Sequence, residues 1–299
     1  PCASVCELPC ATMLAIMTAE PVLTPMQALV LGLVQGLSEL LPISSSAHLY
    51  LVPTLLGWPY AGVAYDVAMH AGTLAALVTA FLGDWLALAR GLVAPPGPER
   101  REARRLFAML AAATVPALIA GKLLDDWSEG LRSVPLQAAM LAVFGVLLWW
   151  VDRTARARES LTHLSARSED GVKAPGWPTA LAVGFAQCLA LVPGVSRSGI
   201  TMTAGRACGL SRLATARFSF MLSMPITLAA VVYKGVFDSD GLFTSVPPLT
   251  LAVGLLGSAV SGFLAIRLML GLLRRTGFGV FAAYRVALAL ALVVWLARG

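Results

Sequence analysis

"QGLSELLPISSSAHL" occupies Gln35–Leu49, between the apolar runs "ALVLGLV" and "YLVPTLLGW". Pro42 has no backbone N–H, and its ring disfavours helix at Leu41. A helix entering this stretch must therefore stop inside it. Irregular backbone at membrane depth survives only when buried in protein or lining a wet cavity. Residues 26–58 thus read as a re-entrant or broken helical hairpin whose polar tip faces a cavity. A second stretch, residues 177–208, is broken in the same way at Pro193-Gly194.

The rest of the chain explains why a membrane is invoked. Of 299 residues, 58% are hydrophobic and only 13% charged, about half the charged share of a soluble domain. Six apolar runs approach the ~20 residues that span a bilayer: roughly 63–83, 106–121, 136–151, 213–233, 249–272 and 279–297. The fold class is all-α: a polytopic membrane protein with six spanning helices and two broken hairpins. Residues 1–25 read as a poorly ordered or dispensable N-terminal extension, and 26–299 as a single membrane domain. No Lys or Arg precedes the first apolar stretch, so a signal peptide is not indicated.

Loop charge gives an orientation. Arg90, Arg100, Arg101, Arg104 and Arg105 form one basic group, and Arg153, Arg156, Arg158, Arg167 and Lys173 a second. Arg267, Arg274 and Arg275 form a third. By the positive-inside rule these face the cytoplasm, and Asp125, Asp126, Glu129, Asp238 and Asp240 face outside. The net charge of +6 matches contact with anionic lipid head groups, and no nucleic-acid motif is present. Cys2, Cys6 and Cys10 fit no common zinc spacing. Cys188 and Cys208 read as small buried thiols.

The chain also repeats itself. Gln35 precedes Ser44 by nine residues, and Gln187 precedes Ser196 by nine; "SSSA" follows in one case and "SRSG" in the other. "TLAAL" at 73–77 answers "TLAAV" at 227–231. Each half, about 26–153 and 177–299, holds one hairpin and three spans. An odd number of spans inverts the second half, and such inverted repeats place a binding site where broken elements meet near mid-membrane.

Ionisable groups at that depth cost roughly 2.5–3.5 kcal/mol on insertion scales, so each needs a reason. Gln35 and Glu39 share a helix face. Glu39 reads as a general base or metal ligand, or else as a carboxylate paired with an arginine. Ser44, Ser45 and Ser46 follow the break and either cap the next helix or face the cavity. His48 lies within a turn of Ser45. Arg197 needs either a buried acid, for which Glu39 serves, or an anion. Ser196, Ser198, Gly199 and Thr201 around a helix start complete a phosphate cradle. Base, nucleophile and anion stabiliser together suit phosphoryl transfer on a lipid-tailed phosphate. Asp66 and His70 read as supporting residues or as interfacial, His163 as solvated, Arg217 as a cytoplasmic anchor, and Arg285 as snorkelling to the inner interface.

At these residues the chain resembles the bacterial undecaprenyl-diphosphatase family, also called the bacitracin-resistance family. That family carries blocks of the type [E/Q]-G-L-T-E-F-L-P-[I/V]-S-S-[S/T]-G-H and P-G-x-S-R-S-G. Here they stand as "QGLSELLPISSSAH" (35–48) and "PGVSRSG" (193–199). "FSFMLSMP" and "FAAYR" are also similar, and the likeness runs from about Met26 to the C-terminus. It implies hydrolysis of C55 polyprenyl diphosphate to the monophosphate, recycling the carrier for cell-wall synthesis and conferring bacitracin resistance. It implies interlocked inverted repeats, an inner-membrane location, and a site open to the periplasm. Glu39, Ser45, His48 and Arg197 fall at the family's catalytic positions. Gln35, Ser44, Ser46, Ser196, Ser198, Gly199 and Thr201 fall beside them as substrate-binding candidates. A divalent cation, Mg or Ca, is implied, with Glu39 as its candidate ligand.

Expected partners are the polyprenyl diphosphate, membrane lipids and a second copy of the chain in a homodimer; bacitracin enters only through the shared substrate. Two departures stand out. Gln35 fills a position that is often Glu, and Ala47 replaces a usual Gly, which costs about 1 kcal/mol or more if that residue needs φ > 0. The rival reading from another class is a secondary transporter or lipid flippase, since broken inverted repeats also serve transport.

Overall fold

The computed structural model describes residues 23–162, 175–237 and 246–298. The N-terminal cysteines, His163, Asp238 and Asp240 lie outside the described residues, as do most of the expected N-terminal extension and the segment with Arg167 and Lys173. Among the described residues the chain is helical, without strands. Six helices are long and apolar enough to cross a membrane, one for each run read from the sequence.

The first hairpin is α1 (Pro25–Leu40) and α2 (Ser45–Leu56). Thr24 and Gln27 form a capping box at the start of α1, and Pro25 occupies its first turn, where a missing N–H costs nothing. Leu41 is extended before Pro42, as the proline ring demands. Then come α3 (Gly62–Ala80), a short α4 (Leu82–Val93), α5 (Pro98–Gly130) and α6 (Val134–Thr162). The second hairpin is α7 (Trp177–Gln187), a 3₁₀ turn at Cys188–Leu191, and α8 (Arg197–Ala207). Three spans follow: α9 (Arg212–Phe237), α10 (Pro248–Leu273) and α11 (Gly279–Leu296).

Three features differ from the sequence reading. Helix α4 is an extra element, amphipathic and shorter than a span. Arg100, Arg101, Arg104 and Arg105 belong to the first turns of α5 rather than to a loop. The cysteines also differ: Cys208 is exposed and Cys188 only partly buried, because both lie at the ends of hairpin arms rather than in the core.

The packing fits an inverted repeat. Helix α10 packs along α1, and α5 along α7, so each half's second span embraces the other half's hairpin. The third spans, α6 and α11, pack on each other, and α3 touches α9. Gly32, three residues before Gln35, abuts the Gly254 carbonyl of α10. Gly184, three residues before Gln187, abuts Ala113 of α5, where a Cβ would fall 2.5 Å from the carbonyl oxygen. The two breaks match as well. Among the described residues, only Ser44 (φ 79°) and Ser196 (φ 75°) combine a side chain with a left-handed φ. Each immediately precedes the second arm of its hairpin.

Ala47 is helical, so its departure from glycine carries no φ penalty. At the arginine-rich end, buried Asp152 accepts from Arg206 Nε (3.0 Å), Arg212 Nη2 (2.7 Å) and the Phe278 N–H (3.3 Å). One carboxylate on α6 thereby gathers the end of α8, the start of α9 and the residue before α11.

The helix contacts at Gly32 and Gly184 predict that Gly32→Ala and Gly184→Ala each destabilise the protein by about 1–3 kcal/mol, read as a lower thermal midpoint in detergent. Gly83→Ala, with open space around it, is expected to leave that midpoint unchanged.

Candidate active site

The two hairpins enter from opposite ends of the helix bundle, and their tips touch. Ser198 Oγ donates to the Leu41 carbonyl at 3.0 Å, and the Gly194 N–H donates to Ser46 Oγ at 3.5 Å. Arg285 of α11 locks the contact. Its guanidinium is fully buried and donates to the carbonyls of Pro42 (3.3 Å), Gly194 (3.0 Å) and Val195 (2.9 Å). It also reaches Met140 and Leu141 on α6. Arg285 therefore does not snorkel to an interface. It sits in the seventh position of α11, about 9 Å along the helix, and its charge is solvated by peptide dipoles from both hairpins. Gly199 leaves room for it, since a Cβ there would fall 2.8 Å from Arg285 Nη1.

Beside the crossing, Glu39 at the end of α1 is the hub. Its Oε1 meets Arg197 Nη2 at 2.5 Å. Its Oε2 accepts from the Ser45 hydroxyl, from His70 Nε2 at 3.2 Å and from Gln35 Nε2 at 3.4 Å. Arg197 is braced through Nη1 by the Ser223 carbonyl and Thr227 Oγ1, both at 3.0 Å. A carboxylate and a guanidinium in a membrane interior are tolerable only as such a paired, fully hydrogen-bonded set. Ser45 and Arg197 are the first helical residues after Ser44 and Ser196. The repeat thus delivers a hydroxyl from one hairpin and a cation from the other at equivalent positions.

His70, read from the sequence as either supporting or interfacial, joins this set from α3. Its Nδ1 lies 2.7 Å from the Asp66 carbonyl. Both ring nitrogens thus face acceptors, which suits an imidazolium donating at each. The Asp66 carboxylate turns outward to Arg132 (2.7 Å) and Tyr60 (2.8 Å).

The remaining candidates are placed differently. His48 points away from Glu39: its Nδ1 is 2.7 Å from the Ser44 carbonyl, and its Nε2 is 2.7 Å from the Tyr284 hydroxyl. Ser44 pairs with Ser46 at 3.2 Å, and Ser196 with Ser198 at the same distance. Ser196 Oγ accepts the Gly199 N–H and so caps α8. Thr201 is buried between α8 and α9 and bonded to Ser219 Oγ at 2.7 Å. Arg132 and the role of Tyr284 escaped the sequence reading, which took Arg285 for an interfacial anchor. An arginine inside the apolar "FAAYRVALAL" was the available signal.

The residues present do not suit a metal held by the protein. Glu39 already receives four donors, two of them on cationic side chains. Among the described residues no group of three or more His, Cys, Asp or Glu could hold an ion.

A family-wide sequence profile described as "Bacitracin resistance protein BacA" matches residues 28–291. The chain belongs to this family. It is 46% identical over 279 residues to the undecaprenyl-diphosphatase of Gemmatimonas aurantiaca, covering 92% of this chain and 99% of that protein. The undecaprenyl-diphosphatases of Chromohalobacter salexigens (44% over 278 residues, 89% and 97% covered) and Moorella thermoacetica (42% over 279 residues, 92% and 100% covered) are similar throughout. The matched region spans both hairpins and all six spans, so the Glu39–Ser45–Arg197 junction lies wholly within the part shared with the family.

Removing the Arg285 guanidinium orphans buried carbonyls, at about 1–3 kcal/mol each. Arg285→Met is therefore expected to give little folded protein, measured by size-exclusion profile and thermal midpoint. A wild-type profile would show that the clamp is dispensable.

Proposed function

We infer that this protein is an integral membrane phosphatase that hydrolyses undecaprenyl (C55 polyprenyl) diphosphate to the monophosphate and phosphate. The observation that carries the reading is the sharing of Glu39 by the Ser45 hydroxyl and the Arg197 guanidinium. The names of the relatives supply the substrate class.

In this scheme the diphosphate displaces Glu39 as the partner of Arg197, whose fork suits phosphate oxygens. Ser45 Oγ attacks the terminal phosphorus while its proton passes to Glu39 Oε2, the acceptor it already faces. The Oγ–P bond forms as the bond to the bridging oxygen breaks, and the lipid monophosphate leaves. Water then attacks the phosphoserine and gives one proton to His48; the Oγ–P bond breaks, phosphate leaves, and Glu39 returns its proton to Ser45 Oγ. His48 acts as acid/base for the leaving oxygen and the incoming water. Positioning and charge neutralisation supply most of the rate, as in phosphoryl transfer generally. Gln35 holds Glu39, while Ser44, Ser46, Ser196, Ser198, Gly199 and Thr201 shape and stiffen the two tips around the headgroup. When bound, a divalent cation, Mg or Ca, would supply further charge neutralisation for the diphosphate.

The protein works in the bacterial inner membrane, with the site reached from the periplasm. Hairpin one, with Ser45, enters from the end opposite the arginine-rich one, and His70 lies about 12 Å along α3 from that same end. Recycling of the lipid supports cell-wall synthesis, and bacitracin is met only through the shared substrate. A homodimer is the expected assembly, to be read from mass in detergent.

The test is phosphate release from C55 polyprenyl diphosphate by purified protein, with and without divalent cation. Wild type is expected to release phosphate, and Ser45→Ala and Arg197→Ala to lose at least about a hundredfold in kcat/KM. Near-normal turnover by Arg197→Ala would sink the scheme. Lipid movement by wild type with no phosphate release would favour a flippase instead.

A further inference from the structure

The two histidines of the site have partners of different kinds. Those of His70, a carbonyl and a carboxylate, can only accept hydrogen bonds, so this ring is held as a donor at both nitrogens. His48 has one fixed and one adaptable partner. Its Nδ1 faces the Ser44 carbonyl at 2.7 Å, which can only accept, so the proton stays on Nδ1. Its Nε2 faces the Tyr284 hydroxyl at 2.7 Å, and a hydroxyl both donates and accepts. Neutral His48 accepts from Tyr284, and protonated His48 donates to it. The ring can therefore gain and lose a proton at Nε2 without turning.

Geometry elsewhere holds that ring in place. The two rings lie nearly parallel, 12° apart, with centroids at 5.7 Å. Tyr284 adjoins Arg285, whose guanidinium holds the tips of both hairpins. A single turn of α11 thus fixes the tips through one residue and reaches His48 through the next. The groups facing His48 are few. Tyr284 and Arg285 come from α11, while Ser44, Ser45 and Ser46 come from its own hairpin. Glu39 of α1 is engaged by Arg197 and His70.

We propose that Tyr284 is a positioning residue for His48, holding Nε2 in one place in either protonation state until substrate displaces the hydroxyl and that nitrogen exchanges a proton at the cleaved phosphate bond. This rests on the reading of His48 as the acid/base of a phosphatase. No net proton is lost: what Nε2 gives to the leaving oxygen it regains from the attacking water.

Tyr284→Phe keeps the ring and removes only the hydroxyl. Its kcat is expected to fall about tenfold or more, with KM within about twofold. The pH limb belonging to His48 should move by about half a unit or more. Tyr284→Ala, which also removes the stacked ring, is expected to lose at least as much. A Phe variant with wild-type kcat at every pH, beside an inactive Ala variant, would mean that only the ring matters and would overturn the proposal.

A second readout does not depend on turnover. In ¹⁵N-histidine-labelled protein, the His48 Nε2 resonance, identified by its loss in His48→Gln, should shift in Tyr284→Phe. An unmoved resonance would overturn the proposal even in an active enzyme. Absence of phosphate release by wild type would instead remove the phosphatase reading and leave the Tyr284–His48 bond to the spectrum.

Discussion

The ion pair between Glu39 and Arg197 is the constraint on which the rest depends. Neither charge is affordable alone at mid-membrane depth, and the two come from hairpins that enter from opposite ends of the bundle. The hairpins must therefore meet tip to tip, and every helix around them serves that meeting. Helices α10 and α5 cradle the first arms through Gly32 and Gly184, where any side chain would force the helices apart. Arg285 then ties the breaks at Pro42 and Gly194–Val195 to α6. The proposed function adds that an anionic headgroup takes over Arg197 from this pairing.

The two hairpins match in a way that fits one repeated motif carrying two kinds of chemistry. Both hairpins break at a serine with a left-handed backbone, and both resume helix at the next residue. In the first half that residue is Ser45 and in the second Arg197. The inverted packing turns these equivalent positions toward one carboxylate. Partner chemistry then divides the histidines: His70 faces an acceptor at each ring nitrogen, whereas His48 Nε2 faces a hydroxyl that can donate or accept.

Much of this was legible in the sequence because its signals are local. Pro42 and Pro193-Gly194 announced the breaks, and hydropathy announced the six spans. The nine-residue spacing of Gln35–Ser44 and Gln187–Ser196 pointed to a repeat that the packing fits. Glu39 and Arg197 stood out because ionisable groups are rare in such surroundings, and Glu39 was already named as the acid Arg197 would need. What depends on side-chain direction was not legible. His48 shares a window with Ser45 yet turns to Tyr284, 236 residues away. Arg285 resembled a snorkelling residue because nothing local reveals five carbonyls converging on it. Ala47 looked costly only because the left-handed residue is Ser44, three positions earlier.

The central claim is that a diphosphate takes the place of Glu39 on Arg197. The most direct test is the affinity of a non-hydrolysable, methylene-bridged polyprenyl diphosphonate for wild type, Glu39→Gln and Arg197→Ala. Displacement predicts that Arg197→Ala weakens binding by about tenfold or more, while Glu39→Gln, freed of a competing carboxylate, binds as tightly as wild type or tighter. If Glu39→Gln lost affinity as severely as Arg197→Ala, the carboxylate would itself be holding the headgroup, and the account of the site would be wrong.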